Sequence, residues 1–241
     1  MLIIKSLFDR KHFFCLISNI LIITFSGFSH GSILVTGLAY EPETKTIKYS
    51  EQHYYSSSSH KVIYREADGN IFAEKTINYQ ANSTRPSLRQ VNTRNGEVID
   101  ISNIDDKVIH LTYKENDSAL TIDEALESTA DIVIDAGFDM FIKENWSALK
   151  QGNTLYFDYL VPSRQSTVKL RARAESCKQV ATICMEVSGA ALLARLFIEP
   201  IHLQYQEDTR QLMRFTGKSN IATAEGKYEV VDIHYKVEES L

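Results

Sequence analysis

After position 31 of this 241-residue chain, apolar and polar side chains alternate along many short segments. Leu155, Phe157, Tyr159 and Val161 share one parity, and the same rhythm recurs near residues 47–55, 71–79, 109–113, 168–174, 201–205 and 231–237. Successive side chains of a strand point to opposite faces of a sheet. A dry face and a wet face are typical of antiparallel sheet. The pattern therefore predicts a mainly β domain over residues 32–241.

We expect a large curved antiparallel sheet of about ten strands, either an open barrel or a sandwich, wrapped on one main helix near residues 136–150. The dipeptides Asp68-Gly69 and Asn95-Gly96 mark tight turns between strands. The helix is indicated by an apolar stripe at helical spacing, made by Phe138, Phe141, Ile142, Trp146 and Leu149. A shorter apolar stretch at 190–198 predicts a second helix.

The N-terminus has the layout of a secretory signal peptide. Lys5, Arg10 and Lys11 precede an apolar run over residues 13–28, and small residues follow, with cleavage expected after Gly31. Residues 1–31 are thus predicted to direct export to the periplasm. The alternative is a membrane anchor formed by residues 13–28, although a run of about 16 residues is short for a span.

The charge balance argues against a nucleic-acid partner. Loss of residues 1–31 removes three basic residues and one acidic residue, which takes the formal net charge from −5 to about −7. Binding to phosphate groups requires a positively charged face, so no nucleic acid is expected. No sequence motif for a catalytic site, a metal or a nucleotide is present, and we expect no cofactor and no metal.

Two cysteines remain after the predicted cleavage, Cys177 and Cys184. Both fall on the polar parity of adjacent predicted strands, as a bridge across a hairpin requires. An exported protein meets an oxidising compartment, so we predict a structural disulfide. The tightest hairpin would set Glu175 opposite Glu186, which is unfavourable, and a wider loop avoids that pairing.

Two groups of side chains are candidates for ligand contacts. Aromatic residues on the helix and on one strand could line an apolar cavity: Phe138, Phe141, Trp146, Tyr156 and Tyr159. Basic residues on one strand face could bind an anion or a lipid head group: Arg164, Lys169, Arg171 and Arg173. The alternative for the basic group is a solvated face that is paired with acids on neighbouring strands.

The histidines show no spacing typical of metal ligands. His53, His110 and His234 lie on predicted strands and could meet in space, which a hydrolase would require. Surface and interface positions are the default expectation for all three.

Three stretches of the chain resemble an uncharacterised group of exported proteobacterial proteins: Asp135-Ala136-Gly137-Phe138-Asp139 running to Asn145-Trp146, Val161-Pro162-Ser163-Arg164, and Arg214-Phe215-Thr216-Gly217-Lys218-Ser219-Asn220-Ile221. The resemblance covers most of the chain after residue 31 and implies no catalytic residues. In architecture alone, a long meander with an inserted helix is similar to the open barrel of periplasmic lipoprotein carriers.

The sequence therefore predicts an exported periplasmic protein that holds an apolar small molecule or lipid in a curved sheet. A structural or interaction protein of the cell envelope, with another envelope protein as its partner, is the first alternative. A hydrolase whose site the fold assembles from distant residues is the second.

Overall fold

The computed structural model describes residues 33–56, 59–103, 107–193, 195 and 198–238. Over these residues fifteen strands form one sheet: β1 Ile33–Tyr40, β2 Ile47–Tyr55, β3 Ser59–Glu66, β4 Ile71–Asn78, β5 Ser87–Asn92, β6 Glu97–Asn103, β7 Val108–Lys114, β8 Ile122–Glu127, β9 Ile132–Val133, β10 Leu155–Val161, β11 Ser166–Glu175, β12 Thr182–Gly189, β13 Ile201–Gln206, β14 Leu212–Lys218 and β15 Val230–Val237. The mainly β prediction is confirmed, with more strands than the ten expected.

The sheet consists of two meanders joined at its centre. β1 to β8 follow one another outward from β1, and β15 back to β9 follow one another outward from β15, with β1 paired to β15. Every neighbouring pair is antiparallel except β9 with β10, which is parallel. The two strands at the outer edges, β8 and β9, are therefore consecutive in the chain.

This connectivity forces the sheet to curl. Laid flat, fifteen strands would be about 65 Å wide. The two edge strands are joined by residues 128–131 alone, which can span at most about 17 Å. The edges must therefore approach each other. Since no ladder joins β8 to β9 among the described residues, the result is a barrel-like sheet that is not closed.

The helical region lies between strands from both meanders. It forms two short helices, α1 Gly137–Glu144 and α2 Trp146–Lys150, instead of the single helix predicted over 136–150. Asn145 separates them, with φ −98° and ψ 15°. Its side-chain Nδ2 donates to the Phe141 carbonyl oxygen at 2.9 Å, so the amide competes for an oxygen of the helix backbone. The apolar stripe still faces inward on both pieces.

Two clusters of buried side chains fill the concave side of the sheet. The first joins β1–β7 and β15, with Tyr64, Ile101 and Leu111 among its members. The second packs the helices against β10–β13, and Ile142 and Leu149 are fully buried there. Burial of an aliphatic side chain of this size contributes about 2 kcal/mol to folding.

The predicted turns and the predicted disulfide are confirmed. Gly69 and Gly96 have φ of 92° and 83° in the turns after β3 and β5. Cys177 and Cys184 are bonded, with Cα atoms 5.3 Å apart. Glu175 lies opposite Cys184, and Glu186 lies opposite Arg173. The loop is thus wide enough to avoid the pairing of two acids.

Other predictions about chain segments have different outcomes. Residues 190–193 form bends and turns, and residues 194, 196 and 197 of the predicted second helix lie outside the described residues. The predicted signal peptide over 1–31 and the alternative anchor over 13–28 also lie outside them. Within the described ranges, no helix has both the length and the apolar character needed to cross a membrane.

Candidate functional site

A cleft of about 350 Å³ lies beside Tyr49 of β2. β2 and β15 form one part of it, the turn between β5 and β6 contributes Arg94, and the segment between β14 and β15 covers the rest. Its lining residues are Lys48, Tyr49, Arg94, Ser219, Ile221, Thr223, Glu225, Glu229 and Val231. The sequence analysis did not identify any of them, because the cleft combines side chains from distant segments.

The floor of the cleft is apolar and its rim is charged. Tyr49, Ile221 and Val231 are almost fully buried, and the Tyr49 hydroxyl lies 3.1 Å from Ser219 Oγ. Burial raises the pKa of Tyr49 well above its ordinary value, so the phenol is neutral. The floor therefore presents aromatic and aliphatic surface without a formal charge.

The two cations on the rim are both paired with acids. Lys48 Nζ lies 2.6 Å from a carboxylate oxygen of Glu229. Arg94 donates Nε and Nη2 to the two carboxylate oxygens of Glu66, at 2.7 and 2.5 Å. The guanidinium also stacks 3.4 Å from the centre of the Phe72 ring. The rim thus offers fixed donors and acceptors with little net charge.

A chain of polar side chains begins two residues beyond Tyr49 on the same face of β2. Glu51 is buried and its Oε2 accepts hydrogen bonds from the Tyr235 hydroxyl at 3.0 Å and from His53 Nε2 at 3.2 Å. His53 Nδ1 lies 2.9 Å from Nε2 of His60 on β3. One of these two ring nitrogens donates to the other, and the tautomers of the two imidazoles decide which one does.

The environment of His60 keeps its imidazole neutral. The ring stacks on Tyr55 with 4.1 Å between centres, and its Nδ1 is 3.5 Å from the Tyr79 hydroxyl. Burial, followed by the charge of His53, lowers the pKa of His60 to about 3. A group with so low a pKa is a weak base at neutral pH, so His60 itself is poorly suited to act as a general base.

A buried ion pair connects the sheet to the segment before α1. Lys75 of β4 donates to Asp135, and Asn220 Nδ2 donates to the other carboxylate oxygen at 3.0 Å. On the opposite side, the hydroxyl of Tyr205 on β13 donates to Asp139 at 3.1 Å. Both meanders therefore form polar contacts with the same helical segment.

Most of the predicted cavity residues lie in the second core cluster. Phe138, Phe141, Trp146 and Tyr159 pack there against Phe157 and its neighbours, and none of them lines the cleft. The inclusion of Tyr156 was wrong, because its side chain is 58% exposed. It has the opposite parity to Phe157, so the strand directs it away from the core.

The predicted basic stripe is present and is matched by acids. Lys169 lies 3.0 Å from Asp158, and Glu186 pairs with both Arg171 and Arg173, at 3.4 and 3.1 Å. An incoming anion would have to compete with these carboxylates. Arg164, the fourth member of the stripe, ends a 3-10 turn at Pro162–Arg164 between β10 and β11.

The three histidines that could have met in space, His53, His110 and His234, do not form a cluster. His53 contacts His60 instead, whereas His110 is exposed on β7. His234 points outward from β15, with Nε2 3.1 Å from Asp232. Within the described ranges, no group of three or more His, Cys, Asp or Glu side chains has a geometry that would hold a metal ion.

One signal in the sequence indicated the buried polar chain. Glu51 and His53 share the parity of Tyr49, and Lys75 shares the parity of Ala73 and Ile77. Charged or titratable residues at positions of the dry face require partners when buried. Partners such as Tyr235 and Asp135 come from distant segments of the chain, and only the folded structure identifies them.

An unclosed fifteen-strand sheet that curls around a short helical segment defines a β-barrel-like protein. The chain is similar in structure to a β-barrel-like protein of domain of unknown function DUF1849 from Brucella abortus, with 7% sequence identity and a TM-score of 0.48. The match covers 86% of this chain and 94% of the other. No protein-family model and no curated protein matches the chain.

Proposed function

We propose that the chain is an exported periplasmic binding protein that holds a small amphipathic molecule in the cleft beside Tyr49. The main observation in support of this proposal is a cleft of about 350 Å³ with an apolar floor and a charged rim. Binding sites for small molecules are typically concave, mostly apolar and equipped with a few fixed polar groups. The cleft combines three apolar or aromatic lining residues, Tyr49, Ile221 and Val231, with fixed polar groups around them.

The lining defines the class of ligand. Tyr49, Ile221 and Val231 suit a compact apolar group such as part of one acyl chain, and the rim suits a polar head group. Because two cations, Lys48 and Arg94, and two acids, Glu225 and Glu229, line the same cleft, a neutral or zwitterionic head group is favoured over an anion. The proposed ligand site is therefore the cleft, and not the group of aromatic side chains on the helix and on one strand that the sequence analysis favoured.

Export is supported by two independent features. The basic start followed by an apolar run is the layout of a signal peptide. The Cys177–Cys184 bond fits a compartment that oxidises thiols. The resemblance to exported proteobacterial proteins and the architectural likeness to periplasmic lipoprotein carriers agree with this assignment.

Native mass spectrometry of the protein purified from its own host tests the proposal. We expect a bound small molecule on the wild type and its loss from Thr223→Trp, since residue 223 lines the cleft and an indole would occupy it. Thr209→Trp is the matched control, because residue 209 is exposed in the turn between β13 and β14. A wild type without bound molecules, or equal retention in both variants, overturns the proposal.

A further inference from the structure

The edge strand β8 differs from the other long strands in its exposure. Five of its six residues are exposed and only Leu126 is partly buried, so both faces of the strand contact solvent. Among the described residues β8 pairs with β7 alone. Its other side therefore carries backbone donors and acceptors that no strand of the described sheet satisfies.

The register identifies which backbone groups face outward. Ser128 N–H donates to the Lys107 carbonyl at 2.7 Å, which makes residues 107 and 128 a hydrogen-bonded pair. Val108 lies opposite Glu127, and the ladder continues without a bulge to Tyr113 opposite Ile122. Hydrogen-bonded pairs alternate in antiparallel ladders. The backbone groups of Asp123, Ala125 and Glu127 therefore point away from β7.

The charges on this edge are all of one sign. Residues 115–131 contain six acidic residues and no Lys or Arg, and three of the acids, Asp123, Glu124 and Glu127, lie on β8. If β8 paired with β8 of a second copy across a two-fold axis at Ala125, Asp123 would lie opposite Glu127 twice. Directly opposed like charges destabilise a strand pair, so the edge disfavours self-association.

We propose that β8 is a docking edge for an extended, basic segment of another envelope protein, which adds a sixteenth strand beside β8. The outward backbone groups supply the hydrogen bonds, and the acids select a cationic partner over a second copy of this chain. This surface is separate from the cleft, since no residue of β8 lines it.

The exposed pattern of β8 specifies the partner strand. In an antiparallel arrangement, basic residues would face Glu127, Glu124 and Asp123, while apolar residues would face Leu126 and Ile122. A small residue would face Ala125. The complementary sequence is therefore basic, apolar, small, basic, basic, apolar, and a cationic strand of this kind does not pair readily with itself.

A labelled octapeptide, Thr-Lys-Val-Thr-Lys-Lys-Val-Thr with blocked ends, provides the probe. We expect its fluorescence anisotropy to rise on addition of the purified protein, with affinity falling as salt increases. Exchanging the three lysines for glutamate should weaken binding about tenfold or more, because like charges would then face each other. Equal binding of both peptides overturns the proposal.

Two variants separate backbone pairing from charge attraction. Ala125→Pro removes one outward N–H without breaking the ladder to β7, and should weaken binding of the cationic peptide about tenfold. Ala125→Val is the matched control and should retain affinity within about twofold. Unchanged affinity in Ala125→Pro would mean that the peptide does not add as a strand, which overturns the proposal.

The charge test does not depend on the fold tolerating proline. A variant with Asp123→Asn, Glu124→Gln and Glu127→Gln keeps side-chain shape and removes three charges, so its affinity should fall about fivefold or more. Sedimentation of the wild type should show no dimer. A dimer that Ala125→Pro abolishes would identify a second copy as the occupant, contrary to the proposal.

Discussion

At the scale of single residues, buried titratable groups stand out on the concave face of the sheet. Glu51, His60 and Lys75 are each less than about a tenth exposed, in a protein interior where an unpaired charge is costly. Each has a specific partner: Tyr235 and His53 for Glu51, His53 for His60, and Asp135 for Lys75. The core is therefore held in one arrangement by polar contacts as well as by packing.

His60 should make folding stability depend on pH. Its pKa is lowered to about 3 in the folded protein, chiefly by burial, whereas an unfolded histidine titrates near about 6.5. Protonation of the unfolded state therefore destabilises the fold as pH falls from about 6.5 towards 3. The measurement is urea unfolding between pH 4.5 and 6.5. As pH falls through this range, we expect the free energy of unfolding of His60→Gln to decrease by about 1 kcal/mol less per pH unit than that of the wild type.

Exposed His110 provides the control for this effect. His110→Gln makes the same substitution at a histidine whose side chain is exposed on β7, outside the buried cluster. If His60→Gln kept the full wild-type slope, His60 would not be the group that resists protonation in the folded protein.

Single-residue roles were the part that the sequence predicted least well. The parity rule correctly marks Phe157 as buried, and it also separates Tyr156 from Tyr159 when applied strictly. It carries no information on which strands become neighbours. The contact between His53 and His60 depends on the β2–β3 register. The cleft depends on a contact between Tyr49 and Ser219, which are 170 residues apart in the sequence.

At the scale of elements, the disulfide clamps the β11–β12 hairpin. The sequence separation of the two cysteines is 7 residues, and closing so short a loop in the unfolded chain stabilises the fold by about 2.5 kcal/mol on the chain-entropy description. We expect Cys177→Ser with Cys184→Ser to lower the free energy of unfolding by this amount in guanidinium titrations.

Reduction of the wild type offers a matched comparison. A reducing agent should lower wild-type stability to that of the double serine variant and leave the variant unchanged. A drop of equal size in the variant would show that the agent acts elsewhere in the protein.

Elements were predicted well where a local signal exists and less well where it does not. The two turns at Gly69 and Gly96 require positive φ, which glycine adopts most easily, so the glycines in the sequence predicted the turns. The helical stripe was also correct, but its spacing alone cannot report that the Asn145 amide bonds to the Phe141 carbonyl and ends α1 there. Short exposed strands such as β8 lack a dry face and left no alternation to detect.

At the scale of the whole molecule, the proposed export makes a direct prediction. Protein recovered from the host's periplasm should begin at residue 32, which intact-mass measurement resolves from the full chain. Leu21→Arg interrupts the apolar run and should leave residues 1–31 attached in the cytosolic fraction. Recovery of the uncut wild type from membranes would identify residues 13–28 as an anchor instead.

The pairing of β1 with β15 has a consequence for the order in which the chain matures. The two meanders can each assemble from hairpins as their residues emerge, yet the ladder that unites them needs Val35 and Val237 together. Contacts so distant in sequence form late and slowly. A nascent chain that lacks β15 therefore exposes two unmatched edges in the middle of the sheet, one on β1 and one on β14, until the last strand is added.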